Sequence, residues 1–155
     1  LPEPRGPRRI EVEHLRGGVR GRVRVLERWR DDDADLLANA EVVVGVGVGV
    51  DPDDLPLVRQ CAKDLGAELC ATRKVTDAGW MPRARQVGIT GHSIAPRLYV
   101  AIGISGRFNH TIGVRQAGTI VGINTDPNCE LWEGCDIGLV ADWREALPAL
   151  VERLA

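Results

Sequence analysis

This chain lacks a basic excess: 20 Lys and Arg stand against 22 Asp and Glu, for a formal net charge of −2. Without that footprint it cannot hold a phosphate backbone by counterion release, so no nucleic acid is expected as a partner. No apolar run approaches the ~20 residues that cross a bilayer, and the start carries no hydrophobic signal core. We therefore expect a soluble, cytoplasmic protein with no membrane insertion. Cys61, Cys70, Cys129 and Cys135 form no C-x-x-C, and His14, His92 and His110 complete no zinc pattern. They read as reduced, mostly buried thiols, with a disulfide or metal site as the alternative. Aromatic residues are also scarce: Trp29, Trp80, Trp132 and Trp143 are four of only six.

What is present suits one ordinary domain: 155 residues, 44% of them hydrophobic. The chain begins at Leu1 rather than Met, which we read as part of a longer polypeptide. Residues 1–9, rich in Pro, Gly and Arg, read as a mobile lead-in or linker remnant, and 10–155 as the domain, with its core over 41–155. Ile10 to His14 and Val19 to Leu26 alternate apolar and charged residues around Gly17-Gly18, predicting an N-terminal strand pair. The arginines interleaved there read as its solvated face or as a docking surface for an acidic partner. Asp31-Asp32-Asp33 precedes a short helix over Ala34 to Ala40; these carboxylates suit its positive N-terminus better than a metal site.

From Glu41 the pattern becomes strands alternating with helices. Val42-Val43-Val44 is a continuous apolar run, as in a strand covered on both faces. Asp51 to Asp54 can cap a helix carrying Leu55, Val58, Cys61, Ala62 and Leu65 on one side, stopped at Gly66. Further strands are expected over Glu68–Ala71, Leu98–Ile104, Thr119–Ile123 and Ile137–Val140. A last amphipathic helix, Arg144 to Ala155, is interrupted near its start by Pro148. The order predicts an α/β fold with a mainly parallel sheet flanked by helices. In such sheets ligands lie beyond the carboxyl ends of the strands, where Gly45 to Gly49, Thr72-Arg73, Ser105-Gly106 and Asn124 fall.

Two glycine-and-hydroxyl turns stand out on that rim: Gln86-Val87-Gly88-Ile89-Thr90-Gly91 and Gly103-Ile104-Ser105-Gly106. Glycines beside Ser and Thr expose N–H groups and hydroxyls to a phosphate or a polar ring edge. Thr90, between glycines, can meet a flat ring and donate to its nitrogen. Ser105-Gly106 leads into a helical turn over Arg107 to Gly113, whose start favours a pyrophosphate and from which His110 can reach back over a ligand. A lone histidine is also commonly a satisfied core or surface residue. Arg73 can stack on a ring, pair with phosphate, or form a rim salt bridge. Trp143 can cover an adenine or pack a helix start. Gly45-x-Gly47-x-Gly49 matches the dinucleotide fingerprint G-x-G-x-x-G poorly, and a tight turn explains it equally well.

Taken together, Thr72-Arg73, Asp77-Ala78-Gly79, Gln86 to Gly91, Ala95-Pro96-x-Leu98-Tyr99, Gly103-Ile104-Ser105-Gly106, His110, Ile123-Asn124-x-Asp126-Pro127 and Asp136-x-Gly138 make a longer pattern. Over about 110 residues from Val42 onward, the chain resembles the FAD-binding carboxyl-terminal domain of the electron-transfer flavoprotein alpha subunit. The resemblance implies a Rossmann-like, DHS-like NAD/FAD-binding fold and FAD as cofactor. It places Thr90 beside flavin N5, Arg73 near the isoalloxazine and His110 near the O2 edge, where a cationic or donating group would stabilise negative charge and raise the first potential. It assigns Thr72, Ser105 and Gly106 to the ribityl-phosphate part and Asn124 and Asp142 to the adenosine half. Gln86, Val87, Gly88, Ile89, Arg107, Phe108, Asn109 and Trp143 complete the expected binding set. The implied role is electron transfer rather than bond breaking, in a heterodimer with a beta subunit. Electrons would come from a flavoprotein dehydrogenase and pass to a quinone oxidoreductase or another acceptor. The alternative is a nucleotide-binding module, for FAD, NAD or AMP, that serves assembly without redox activity. One departure bears on the choice: the family has an Arg within the first glycine turn, and we match its position to Gly47. Ile89, His92 and Asn109 also depart from the family's residues.

Overall fold

The computed structural model describes the backbone of residues 32–154. The expected lead-in, the N-terminal strand pair, the arginine-rich stretch and Trp29 lie outside the described residues. The first described element is α1 (Asp32–Asn39). Then come β1 (Val42–Val46), α2 (Leu55–Asp64), β2 (Glu68–Ala71), α3 (Arg73–Asp77), β3 (Leu98–Ile102), α4 (Phe108–Thr111), β4 (Thr119–Asn124), β5 (Ile137–Val140) and α5 (Trp143–Leu154). The five strands form one sheet in the order β2-β1-β3-β4-β5, and every pairing is parallel.

Side-chain alternation along the strands splits the core into two layers. Val44 and Val46 of β1, Val100 and Ile102 of β3, and Val121 and Ile123 of β4 face α2 and α5. There they meet Leu55, Val58, Cys61, Trp143, Leu147 and Val151. On the other side Val43, Cys70, Tyr99 and Ala101 pack with Leu37, Val87, Ile94 and Leu131. Parallel strands buried on both faces read as unbroken apolar runs, which is why the run at Val42–Val44 was informative. β5 is different: all four of its residues are exposed, as befits an edge strand paired on one side.

Most ends shift from expectation by a residue or two; two differences have a clear physical reason. β3 ends at Ile102, because Gly103 turns the chain with φ 59°. α5 runs unbroken from Trp143 to Leu154 with Pro148 inside it. Pro148 lies in the helix's second turn, so its missing N–H leaves only the Arg144 carbonyl without its helical donor.

Strand order reverses between β1 and β3, since β1 leads outward to β2 and the chain then returns to the other side of β1. The crevice at the carboxyl ends of β1 and β3 is therefore the place where an open parallel sheet takes a ligand.

Candidate functional site

A cleft of about 350 Å³ opens at that crevice. Its floor is Gly47 and Val48 after β1 and Gly103, Ile104 and Ser105 after β3; Thr72, Arg73, Lys74 and Asp77 form one wall. The opposite wall joins the first of the glycine turns that stood out in the sequence to α4, which follows the second. Ile89 N–H donates to the Asn109 carbonyl at 2.8 Å, and His110 Nδ1 lies 3.0 Å from the Val87 carbonyl. Gly88 makes this approach possible: its φ is 131°, and a Cβ there would stand 3.1 Å from His110 Cα.

Three cations and one carboxylate line the cleft, although the chain as a whole is slightly acidic. Arg73 Nε pairs with Asp77 at 3.1 Å and Arg83 approaches the same carboxylate at 3.5 Å. Lys74 and Arg107 line the cleft and make no ion pair among the described residues. Ile89 is 62% exposed and Val48 48%, which leaves bare apolar surface beside the cations.

Polar atoms on the Thr90 side are ordered from behind. Gln86 is 1% exposed and spans two hydroxyls: its Oε1 accepts from Thr76 at 2.8 Å and its Nε2 donates to Thr90 Oγ1 at 2.9 Å. With Gln86 in this orientation, Thr90 Oγ1 is an acceptor inside the wall and its proton is left for the cleft.

His110 departs from the expected cationic or donating group. A carbonyl can only accept, so Nδ1 carries the proton that reaches Val87; Nε2 lies 2.7 Å from the Tyr99 hydroxyl. Both ring nitrogens are spent inside the protein. Burial lowers the His110 pKa to about 4 against the opposing pull of the Val87 carbonyl, so the ring is neutral at pH 7. In the cofactor-free fold the ring thus has neither a charge nor a free N–H to present.

Ten of the sequence-derived residues line the cleft: Thr72, Arg73, Gln86, Val87, Ile89, Thr90, Ser105, Arg107, Asn109 and His110. Gly88 stands behind the wall. Gly106 is turned away from it, with φ 80° and no room for a Cβ against the Glu130–Leu131 backbone. Phe108 lines a second cavity behind α4 instead. Asn124, at the end of β4, uses its amide internally: Nδ2 donates to the Ile104 carbonyl at 2.9 Å and Oδ1 accepts from Asp126 N–H at 3.0 Å. Asp142, beyond β5, accepts from Arg144 N–H at 2.9 Å at the start of α5. Trp143 is 4% exposed in the α2/α5 core layer, so it cannot cover a ligand; helix-start packing is its place.

Gly47 also needs correction as the position of the family's arginine. A Cβ there would overlap the Gly103 carbonyl and stand 2.7 Å from Ile104 Cα, while Gly47 N–H donates to the Ile102 carbonyl. No side chain fits at 47. The next residue, Val48, is exposed and lines the cleft, so a side chain in this turn has room there. Nor does the turn open directly into a helix, as the dinucleotide fingerprint needs. Asp51 intervenes and caps a 3₁₀ turn over Pro52–Asp54 before α2.

Sequence reasoning placed the turns holding Val48, Gly103 and Ile104 on the rim without assigning those residues to the ligand, quoted Asp77 only in the family pattern, and missed Lys74 as a lining residue. Lys74 and Asp77 share the single helical stretch begun by Arg73, and the i, i+4 spacing of Asp77 from Arg73 was the available signal for that pair.

The family model described as the electron transfer flavoprotein FAD-binding domain matches residues 36–115. This chain belongs to that family. FAD is the cofactor of its domain. A FixB protein of Azorhizobium caulinodans is 45% identical over 124 residues, covering 79% of this chain and 34% of its own length. An electron transfer flavoprotein subunit alpha of Thermoanaerobacterium thermosaccharolyticum is 38% identical, covering 76% of this chain and 36% of its own. A probable mitochondrial alpha subunit of Caenorhabditis elegans is 44% identical with the same coverage. The chain thus spans about a third of the length of the curated relatives it matches.

The cleft's chemistry fits the family's cofactor. Unpaired cations suit a diphosphate, exposed Ile89 and Val48 suit the face of a flat ring, and the Thr90 hydroxyl suits a ring nitrogen.

Proposed function

We propose that this domain serves as the FAD-holding electron-transfer unit of an electron-transfer flavoprotein alpha chain. The observation that carries the reading is the cleft at the β1/β3 reversal, with a basic rim on an acidic chain and a buried Gln86 ordering Thr90. When bound, FAD supplies one-electron redox chemistry. The residues hold and orient it. Arg73, Lys74 and Arg107 neutralise its negative charge, Thr90 donates toward N5, and Thr72 and Ser105 serve the ribityl-phosphate part. The cleft accommodates only part of so long a cofactor, so the adenosine half is assigned to the rim past Ser105 toward Asn124 and Asp142.

Pairing with a beta subunit, a flavoprotein dehydrogenase as donor, a quinone oxidoreductase or other acceptor, and a cytoplasmic location belong to the same reading. Among the described residues no helix is long and apolar enough to cross a membrane. Val48 in place of the family's arginine favours a second reading, a nucleotide-binding module without redox activity, because it removes one charge beside the cofactor. A flavin titration separates the outcomes: the folded chain takes up FAD and exchanges electrons with a reduced donor. A chain that stays colourless after incubation with FAD sinks the first reading. FAD bound but never reduced by a donor selects the second.

A further inference from the structure

Thr76 is half-buried on α3 and does not line the cleft, yet it stands two hydrogen bonds behind the Thr90 hydroxyl that does. Its Oγ1 has two acceptors within reach: Gln86 Oε1 at 2.8 Å and the Arg73 carbonyl of its own helix at 3.0 Å. A hydroxyl has one proton and serves one of them at a time. The Gln86 amide, 1% exposed, has a hydroxyl at each end, Thr76 at one and Thr90 Oγ1 at 2.9 Å at the other. Hydroxyls both donate and accept, so an amide held between two of them is satisfied whichever way it points.

Two arrangements therefore fit the same heavy-atom positions. In the first, Thr76 donates to Gln86 Oε1, Gln86 Nε2 donates to Thr90 Oγ1, and the Thr90 proton faces the cleft. In the second the amide is turned over. Nε2 then donates to Thr76, whose own proton goes to the Arg73 carbonyl, and Oε1 accepts the Thr90 proton, which leaves a Thr90 lone pair for the cleft. We propose that Thr76 is a positioning residue that makes this reversal possible, so that Thr90 meets a ligand as donor or as acceptor with no movement of the backbone. Under the reading that the cleft holds FAD with N5 opposite Thr90, the two arrangements match the two states of that atom. Oxidised flavin presents a bare N5 and selects the first, whereas fully reduced flavin presents N5–H and selects the second. The Arg73 carbonyl weights the pair, because it gains the Thr76 proton only in the second.

Thr76→Val keeps the shape of the side chain and removes its hydroxyl. Oε1 then lacks a donor in the first arrangement, while in the second an Nε2 proton lacks an acceptor and the bond to Arg73 is gone. A buried N–H without a partner is the worse fault, so the variant should hold the first arrangement, with Thr90 as donor. Dissociation constants for oxidised FAD and for FAD reduced with dithionite, measured without oxygen, read the difference. The ratio of the reduced-form to the oxidised-form constant should rise about fivefold in Thr76→Val, and Thr76→Ser should restore it. An unchanged ratio in Thr76→Val would overturn the proposal, since a packing role acts on both forms alike. Should that variant fail to fold, or a folded chain bind neither form, the Gln86 side-chain amide of the unmutated, FAD-free protein decides. Water opposite Thr90 can donate or accept, so both arrangements should be populated and the amide proton–nitrogen signals doubled or broadened by exchange. One sharp pair of signals there would overturn the reversal. Failure to bind either form of FAD sinks the flavin reading alone, so the two failures remain distinct.

Discussion

The carboxyl rim of the sheet has two halves built on different principles. Around β1, β2 and β3, Lys74 and Arg107 end in charges with no partner among the described residues, and the Thr90 hydroxyl is braced from behind by Gln86. Around β4 and β5, the polar groups are already committed. Asn124 ties the Ile104 carbonyl to the Asp126 turn, Asp142 holds the start of α5, and Arg144 Nε reaches Asp54 at 2.9 Å. One half has polar groups to offer a ligand, while the other spends them joining loops that the sequence keeps far apart. Residue type at a strand end is only a start; what its polar atoms already hold limits what remains for a ligand.

Trp143 gives the sharpest contrast with the cleft. Trp143→Ala should cost about 3–5 kcal/mol by emptying the α2/α5 layer, read by urea unfolding. The fraction that stays folded should bind FAD as before. A loss of FAD affinity without loss of stability would return Trp143 to the ligand.

His110 belongs to both the core and the cleft, and acid should expose the conflict. Its pKa is about 4 in the folded chain against the ordinary 6.5, so between those values the unfolded chain binds more protons. This contribution is fully present above about pH 6.5, falls as the pH drops, and is exhausted below about pH 4, for a loss on the order of 3 kcal/mol. Urea unfolding at pH 7 and pH 4.5 should show that slope, and His110→Asn should flatten it. Equal slopes would mean that the ring is not buried as a neutral group.

Next in size is the pair at the first glycine turn. Gly47→Ala should destabilise by about 1–3 kcal/mol, since its Cβ has no space against Gly103. Val48→Arg should leave stability within about 0.5 kcal/mol and tighten FAD binding about tenfold, equivalent to about 1.4 kcal/mol. The reverse pattern would put the arginine position back at 47. The smallest effects belong to the rim charges. Lys74→Ala and Arg107→Ala should each weaken FAD up to about tenfold with little change in stability, and less at high salt, because exposed charges are screened. Salt-independent binding would argue against their pairing with a diphosphate.

Much of this is legible in the sequence. Glu68–Ala71 and Ile137–Val140 are strands to the residue, because turn residues flank short apolar runs. Thr72, Arg73, Thr90, Ser105 and His110 stood out as hydroxyl, cation and imidazole types at strand ends and glycine turns, while Gln86, Val87, Ile89, Arg107 and Asn109 entered only through the family resemblance. Tyr99 was not legible as anything but core, since its partners Gly45, Cys70 and His110 come from three other elements. The internal bond of Asn124 was hidden for the same reason: the carbonyl that holds its amide lies 20 residues away at Ile104. Gly47 and Val48 could not be told apart by spacing alone, because only the Gly103 backbone shows which position has room.

Amide chemical-shift mapping of the folded chain titrated with FAD tests the cleft most directly. Thr72 to Lys74, Gly88 to Gly91 and Gly103 to Arg107 should shift together and saturate with the flavin absorbance change, and Lys74→Ala should move that saturation to higher FAD. Binding of FAD that leaves those three segments unshifted, or no binding by a folded chain, would contradict the assignment of the cofactor to the β1/β3 crevice.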